Sequence, residues 1–147
     1  MHIREADEND LEGLLRLYTQ LYDNPMPVLD EPLRQLWRRM LRMDGQHILL
    51  GEEDGEIVSS CVLTVIPNLT HGQRPYALVE NVITDGAQRG KGRATAVLHA
   101  AEDIAVREGC YKIMLLTGSK LESTLRFYER AGYNRHDKTA FIRWLPE

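Results

Sequence analysis

The sequence has few of the features that mark secreted, metal-binding or membrane-spanning proteins. It contains only two cysteines, Cys61 and Cys110, and they do not form the C-x-x-C spacing of a zinc or redox site. We therefore expect two reduced thiols. No apolar run approaches the roughly 18 residues needed to cross a bilayer, and the first residues lack the basic and apolar regions of a signal peptide. These absences favour a cytoplasmic protein.

The sequence also has no surplus of positive charge. The formal net charge is −4, whereas DNA, RNA or an anionic membrane requires a broad basic face, so we expect no nucleic-acid partner and no membrane partner. The five histidines are scattered without metal-ligand spacing, and no metal site is expected. A chain of 147 residues that is 43% hydrophobic can bury one sizeable core. We expect a single domain over residues 1–147.

Two kinds of apolar pattern alternate along the chain. Helical spacing recurs over 7–22, 30–43, 94–108 and 121–131, and strand-like runs occupy 2–4, 46–51, 56–66, 76–84, 111–116 and 133–145. Asp54-Gly55 lies between two of these runs and predicts an antiparallel hairpin. The pattern predicts an α/β fold with about four helices and a sheet that is antiparallel in its first half.

The most informative segment is glycine-rich and joins a strand to a helix over residues 85–94. Unpaired N–H groups and the helix dipole favour an anion there, and Arg89, Lys91 and Arg93 add positive charge. An ATP-type P-loop is disfavoured because Gly92 follows Lys91, and a dinucleotide motif would need glycine at Thr95. Taken alone, the segment is also compatible with a surface loop that binds no ligand.

Several motifs together resemble the GNAT superfamily of acyl-CoA-dependent N-acetyltransferases. They comprise R-G-K-G-R-A at 89–94, which matches the R/Q-x-x-G-x-G/A pattern, E-N-V-I-T at 80–84, the helix at 94–108, C-Y-K-I-M-L-L at 110–116 and F-Y-E-R-A-G-Y at 127–133. The resemblance covers roughly residues 2–145, with its specific motifs between 79 and 133. It implies a mixed sheet in which parallel strands 4 and 5 splay apart.

The resemblance also implies acetyl-CoA as cosubstrate, without a metal. The pantetheine arm would lie between strands 4 and 5, held by main-chain groups of Val82, Ile83 and Thr84. An N–H group near Val82 would stabilise the oxyanion of the thioester. The pyrophosphate would rest on the segment 90–95 beside Arg89. That segment consists of Gly90, Lys91, Gly92, Arg93, Ala94 and Thr95.

Direct attack by an amine needs a base and an acid. Glu80 lies among apolar strand residues, so we expect a partly desolvated carboxylate that is suited to accept a proton, directly or through water. The alternative is a strand-end glutamate that pairs with an arginine. Tyr128 matches the signature tyrosine of the family, which implies that it protonates the departing thiolate, and the alternative is a core aromatic residue in a buried stripe.

One position departs from the family pattern. The family often has an asparagine about seven residues before the signature tyrosine, where it contacts the coenzyme, and this sequence has Leu121 there. Ser119, Lys120 or Ser123 could supply the polar contact instead. We take Ser119 as the candidate for that coenzyme contact.

The acceptor amine is the least defined part of the prediction. Its site would be built from the first two helices, the loop at 67–75 and the far end of strand 4; Tyr18 could line it, although its apolar stripe favours a core position. E-N-V at 80–82 and C-Y-K-I at 110–113 resemble the glucosamine-phosphate acetyltransferase branch. Three functions stay open: acetylation of a small-molecule amine (amino sugar, polyamine, amino acid or antibiotic), acetylation of a protein or peptide amine, or non-catalytic acyl-CoA binding in a regulatory module. The apolar stretch 141–145 suggests a homodimer.

Overall fold

The computed structural model describes residues 1–147. Its elements in chain order are β1 (His2–Glu5), α1 (Leu11–Tyr18), α2 (Glu31–Leu41), β2 (Gln46–Glu53), β3 (Glu56–Ile66), β4 (Tyr76–Thr84), α3 (Arg93–Arg107), β5 (Ile113–Leu115) and α4 (Glu122–Arg130). The chain divides into two compact units, residues 1–115 and 116–147, which we call unit 1 and unit 2. The expectation of a single domain over 1–147 stays a prediction.

Unit 1 contains the whole sheet, and its strands are ordered β1-β2-β3-β4-β5. The first three neighbouring pairs are antiparallel, and β4 pairs with β5 in parallel. Asp54 and Gly55 turn the β2–β3 hairpin with φ angles of 51° and 81°, the left-handed conformation that such a two-residue turn requires. The predicted mixed sheet is confirmed.

The helices of unit 1 cover the sheet on two faces. Ile48, Leu50 and Val62 of the sheet form one buried cluster with Leu14 of α1 and Trp37 of α2; we call this side the α1/α2 face. Side chains alternate along a strand, so Cys61 points the other way. Its thiol donates to Val97 O of α3 at 3.6 Å, which defines the α3 face.

The first two helices begin where the sequence predicts but bury less than expected. Asp7 caps a short 3-10 turn, and Asp30 caps α2 by accepting a hydrogen bond from Leu33 N at 3.0 Å. Helix α1 ends at Tyr18, so the predicted continuation to residue 22 is wrong. Leu36 of α2 is 41% exposed although it is apolar, because it lies off the side of α2 that holds Trp37.

Unit 2 contains helix α4 and a tail that forms neither helix nor strand. Helix α4 ends before Gly132, whose φ of 99° is the left-handed conformation expected after a helix. The predicted closing strand at 133–145 is wrong, since no strand forms there and Phe141 and Trp144 are 93% and 83% exposed. A strand is held by hydrogen bonds to a neighbouring strand, and strand-favouring residues alone do not provide that neighbour. No helix of the chain has the length and apolar character to span a bilayer.

Candidate active site

A bulge in β4 breaks the regular pairing of the sheet at its centre. Ser60 is opposite Ile83 and Val62 is opposite Glu80, so the single residue between them on β3 faces both Asn81 and Val82. Asn81 has a φ of 51°, within the left-handed region. An extra residue of this kind leaves backbone groups outside the ladder and bends the strand. The bulge therefore redirects the last part of β4.

From Glu80 onwards β4 has an open edge. Its pairing with β5 covers only Ala77 to Val79, and within unit 1 no strand pairs with 80–84 on that side. Some carbonyls already have one partner, since Ile83 O accepts from Ser59 Oγ at 3.1 Å and Thr84 O accepts from Arg89 Nε at 3.3 Å. The main chain of the predicted segment 82–84 is thus placed to bind an extended ligand as an added strand.

The glycine-rich turn leads from this edge to the start of α3. Gly90 and Gly92 have φ angles of 72° and 76°, and no atom lies within 4 Å of where a Cβ would stand on either one. Helix α3 begins at Arg93 and no side chain caps it. The first-turn N–H groups are therefore open, and the space before them fits an anion.

Residues outside the turn hold it in place. Asp85 accepts hydrogen bonds from Ala87 N at 2.9 Å and from Gln20 Nε2 at 2.7 Å, and Gly86 N donates to Gln20 Oε1 at 2.8 Å. The hydrogen bond from Gln20, followed by that from Ala87, lowers the pKa of Asp85. Gln20 follows α1 in the chain, so this helix and the turn are fixed to each other.

The three basic side chains of the turn are not equivalent. Arg93 forms an ion pair with Glu53, which lowers the pKa of that carboxyl group, so the expectation that its side chain adds free positive charge is wrong. The pair forms because β2 ends beside the start of α3. Lys91 donates a hydrogen bond to the neutral amide of Gln88 at 3.1 Å, and Arg89 donates one to a carbonyl oxygen. Neither contact neutralises the positive charge of the side chain.

Glu80 lies at the first open position of β4, and its side chain is exposed. The predicted desolvation of this carboxylate is wrong, because β5 no longer flanks the strand there. Glu80 is opposite Val62 and therefore lies on the α1/α2 face. Its role as the base stays a prediction, and its position beside the bulge is compatible with that role.

The α1/α2 face also holds a polar group that sequence reasoning favoured as core. Tyr18 of α1 is half-buried, and burial raises the pKa of its hydroxyl to about 12 although contacts with the Ser60 and Asn81 side chains work in the opposite direction. Ser60 is fully buried, and its hydroxyl makes no hydrogen bond of ordinary distance and angle. Only the polar character of tyrosine in the apolar stripe signalled this arrangement.

Unit 2 carries the remaining predicted site residues, Tyr128 and Ser119. The ring of Tyr128 lies 4.9 Å from that of Phe127 and 6.3 Å from that of Tyr133, as expected for a packed aromatic residue. Ser119 Oγ donates to Thr124 Oγ1 at 3.2 Å and accepts from Leu121 N at 3.3 Å. The roles of Tyr128 as the acid and of Ser119 at the coenzyme stay predictions.

No three His, Cys, Asp or Glu side chains of the chain are grouped so that they could hold a metal ion. The groups that the structure does gather in unit 1 are main-chain N–H donors, two free cations and polar side chains around the bulge. Open N–H donors beside uncompensated cations are suited to an anionic ligand.

Comparisons with known proteins agree with this geometry. The model of the acetyltransferase (GNAT) family matches residues 11–133. Glucosamine 6-phosphate N-acetyltransferase of Trypanosoma brucei brucei is 30% identical over 140 residues, which cover 94% of this chain and 92% of that protein. These matches include both the glycine-rich turn and the last helix.

Two solved structures share the whole fold. A protein from Agrobacterium tumefaciens str. C58, provisionally described as an acetyltransferase, has a TM-score of 0.91 and 35% identity, covering 98% of this chain and 100% of its own. A protein from Bacillus halodurans C-125, described as a transcriptional regulator, has a TM-score of 0.86 and 25% identity, covering 97% and 99%. The chain belongs to the acetyltransferase (GNAT) family and is an N-acetyltransferase.

Proposed function

We propose that the protein transfers the acetyl group of acetyl-CoA to a primary amine of a small molecule, by direct attack within a ternary complex. The observation that carries this proposal is the open edge of β4, which leads through the glycine-rich turn to the uncapped start of α3. An extended arm that ends in a pyrophosphate matches the two features in their order along the chain.

Acetyl-CoA would be held mainly by the backbone. The pyrophosphate accepts hydrogen bonds from N–H groups of the segment 90–95, and Arg89 and Lys91 balance its charge. The open space at Gly90 and Gly92 is the space that this group would fill. The pantetheine arm lies along Val82, Ile83 and Thr84, and a backbone N–H of the bulge faces the thioester oxygen.

The reaction needs no covalent enzyme intermediate. The lone pair of the neutral amine attacks the thioester carbon, a C–N bond forms, the C–S bond breaks and its electron pair leaves with the sulfur. Glu80 first takes the proton of the ammonium, directly or through water. Tyr128 supplies a proton to the thiolate, and the N–H proton that the nitrogen loses as the tetrahedral intermediate collapses passes to solvent, from which Tyr128 is reprotonated. The products are the acetamide and free CoA.

Glucosamine 6-phosphate is the first acceptor to test, because the Trypanosoma relative bears that substrate in its name. Spermidine, amino acids and kanamycin represent the other amine classes. The cytoplasm is the proposed compartment, since Cys61 and Cys110 are free thiols that stay reduced there. A homodimer is proposed as well, because the exposed apolar side chains of the tail lack cover within unit 2. They are Phe141, Ile142, Trp144 and Leu145.

A second candidate function is a non-catalytic acyl-CoA-binding regulatory module. The Bacillus halodurans neighbour described as a transcriptional regulator favours it. Tight acetyl-CoA binding without turnover of any amine or peptide would support this candidate over the enzyme, and turnover of peptides alone would support a protein N-acetyltransferase.

Calorimetric titration with acetyl-CoA tests the proposal, with CoA and ATP as comparison ligands. The informative variant is Gly92→Leu, and the matched control is Gly55→Leu in the β2–β3 turn, since both glycines have positive φ and no atom near the added Cβ. We expect selective acetyl-CoA binding that Gly92→Leu loses and Gly55→Leu keeps. No binding to the wild type at millimolar ligand would contradict the proposed cosubstrate.

Release of free thiol in the presence of each amine then tests the transfer itself. Tyr128→Phe removes only the hydroxyl, and we expect at least a tenfold fall in kcat with an unchanged Kd for acetyl-CoA. Full turnover by this variant would leave Tyr128 with the packing role that its ring contacts describe.

A further inference from the structure

The glycine-rich turn begins with a short 3-10 turn, Gly86–Gln88, that is held by a residue far away in the sequence. Gln20, which follows the end of α1, accepts a hydrogen bond from Gly86 N at 2.8 Å and donates one to Asp85 Oδ2 at 2.7 Å. Asp85 Oδ1 in turn accepts from Ala87 N at 2.9 Å. These three bonds form one connected set, which we call the Gln20–Asp85 clasp.

The 3-10 turn needs such support because it is short. A single turn of this kind contains too few internal hydrogen bonds to fix its own conformation. The backbone of Asp85 is held separately, since Asp85 N donates to Val58 O of β3 at 2.9 Å. The side chain of Gln20 holds the next N–H group, that of Gly86. The clasp therefore determines the direction in which the chain leaves β4.

The opposite end of the glycine-rich turn is also held from outside. Arg93, the first residue of α3, donates through Nε to Glu53 Oε2 of β2 at 2.9 Å. Between the two attachments, no atom lies within 4 Å of a Cβ built on Gly90 or Gly92. The turn thus has fixed ends and an open middle, as expected of a backbone site that is preorganised for its ligand.

The clasp lies between the two places assigned to acetyl-CoA. The pantetheine arm is proposed to lie along 82–84 and the pyrophosphate on 90–95, so the segment 85–89 sets the distance and direction between them. A ligand that contacts two places binds tightly only when their spacing matches its own. A change in the conformation of 85–89 therefore weakens the binding of acetyl-CoA although no group that contacts the ligand is removed.

We propose that Gln20 is a positioning residue for acetyl-CoA, which acts through Asp85 and Gly86 to align the pyrophosphate site with the open edge of β4. The inference rests on the proposed acetyl transfer and adds a residue to its cosubstrate site. Gln20 belongs to neither of the segments that are proposed to contact acetyl-CoA. Through it, α1 takes part in the binding of the cosubstrate.

An exchange of the two polar groups tests this assignment, because the clasp can be rebuilt with one donor and one acceptor reversed. Gln20→Glu alone places two carboxylates within hydrogen-bond distance of each other. Asp85→Asn alone pairs two amides, so one hydrogen bond of the clasp is lost in either orientation of the Gln20 amide. In the double variant, the amide introduced at position 85 donates to the carboxylate introduced at position 20. All three hydrogen bonds then form again, with the net charge of the wild type.

Calorimetric titration with acetyl-CoA measures the Kd of each variant, and urea unfolding establishes that each is folded at the assay temperature. We expect Gln20→Glu to raise the Kd by about 10-fold and Asp85→Asn by about 3- to 10-fold, as the loss of a hydrogen bond predicts. The double variant should return to within about twofold of the wild type, because the two residues act through each other.

Two further readouts separate positioning from other effects. Asp85→Asn removes a negative charge beside an anion site, so an effect of charge alone would tighten binding, whereas loss of the clasp weakens it. With the amine that the wild type acetylates, kcat at saturating acetyl-CoA should stay unchanged, since Glu80 and the bulge are not altered. The matched controls are Gln35→Glu and Asp103→Asn, which make the same chemical changes at exposed positions. They should keep the wild-type Kd, singly and together.

Three results would overturn the inference. One is an Asp85→Asn variant that binds acetyl-CoA as tightly as the wild type or more tightly. Another is a double variant that binds as weakly as Gln20→Glu, which would show that the two residues do not act through each other. Both of these results would leave the proposed acetyl transfer intact. A wild type that fails to bind acetyl-CoA at millimolar concentration would instead overturn the proposed function, and this inference with it.

Discussion

Two neighbouring serines of β3 show how differently buried polar groups are hydrogen-bonded on the two faces of the sheet. Ser59 points to the α3 face, where its hydroxyl donates to Ile83 O at 3.1 Å and pairs with Thr84 Oγ1 at 2.8 Å. Ser60 points to the α1/α2 face and makes no hydrogen bond of ordinary geometry. Both are fully buried, so solvent does not explain the difference.

The same contrast extends beyond the serines. Trp37 Nε1, another buried polar atom of unit 1 without a hydrogen bond, also lies on the α1/α2 face. The α3 face is closed by small and aliphatic side chains such as Val97 and Ala101, which have no exposed surface. The α3 face is thus closed by packing, whereas the α1/α2 face keeps buried polar atoms without a hydrogen bond.

The largest effect should come from the packing of the α3 face. Leu98 is 1% exposed, and Leu98→Ala should lower the free energy of unfolding by about 3–4 kcal/mol through lost burial and an unfilled cavity. Denaturant unfolding measures this change. Leu36→Ala is the control, since Leu36 is 41% exposed and should cost less than about 0.5 kcal/mol. Similar losses in both variants would contradict a closely packed α3 face.

The second prediction concerns chemistry on the α1/α2 face. Glu80→Gln should lower kcat by about 100-fold, equivalent to about 2.7 kcal/mol, and flatten the alkaline-rising limb of the pH–rate profile. The side chain is exposed, so the free energy of unfolding should barely change. An unaltered pH–rate profile would remove Glu80 as the base and leave the face without an assigned proton acceptor.

The features that could be predicted from the sequence are those that depend on a few neighbouring residues, such as turns. The Asp54-Gly55 turn adopts the positive φ angles that the predicted hairpin requires, because the requirement acts within a few residues. The ion pair of Arg93 with Glu53 was missed because the partners are 40 residues apart and meet only once β2 is placed in the sheet.

The sequence pattern did not reveal the bulge in β4 or the lack of a strand in the tail, for a similar reason. Asn81 and Val82 lie within one strand-like run of the sequence, and only the register of β4 on β3 reveals that two residues face one. The tail at 141–145 has a strand-like pattern but no neighbour within unit 2. The surroundings of Tyr18 depend on three segments that meet only in the folded chain. The sequence therefore left two alternatives for Tyr18, a place in the acceptor site or a place in the core.

The third prediction uses alkaline pH to probe the α3 face. Burial raises the pKa of the Cys61 thiol from about 9 to about 12, so the folded state keeps a proton that the unfolded chain loses. This contribution is complete below pH 9 and is lost as the pH rises through 12. Wild-type stability should fall by about 2.5 kcal/mol between pH 9 and 11 from this group alone.

Cys61→Ala isolates that contribution. The variant starts from a lower stability because of the lost volume, and its free energy of unfolding should decline less steeply over the same pH range. Ionisation of Tyr18, whose pKa is raised to about 12, contributes a remaining slope above pH 10 in both proteins. Equal slopes for the wild type and the variant would contradict a buried, protonated thiol on this face.

The smallest expected effect returns to the two serines and tests the comparison most directly. Ser59→Ala removes the partner of Thr84 Oγ1 and of Ile83 O, and should cost about 1–2 kcal/mol of stability because a buried hydroxyl loses its hydrogen bond. Ser60→Ala deletes a hydroxyl that had no good partner, so the free energy of unfolding should stay the same or rise slightly. The identical chemical change at adjacent buried positions removes the usual uncertainty about side-chain volume. Equal costs in denaturant unfolding would show that Ser60 is as well satisfied as Ser59, and the contrast between the two faces at these serines would not hold.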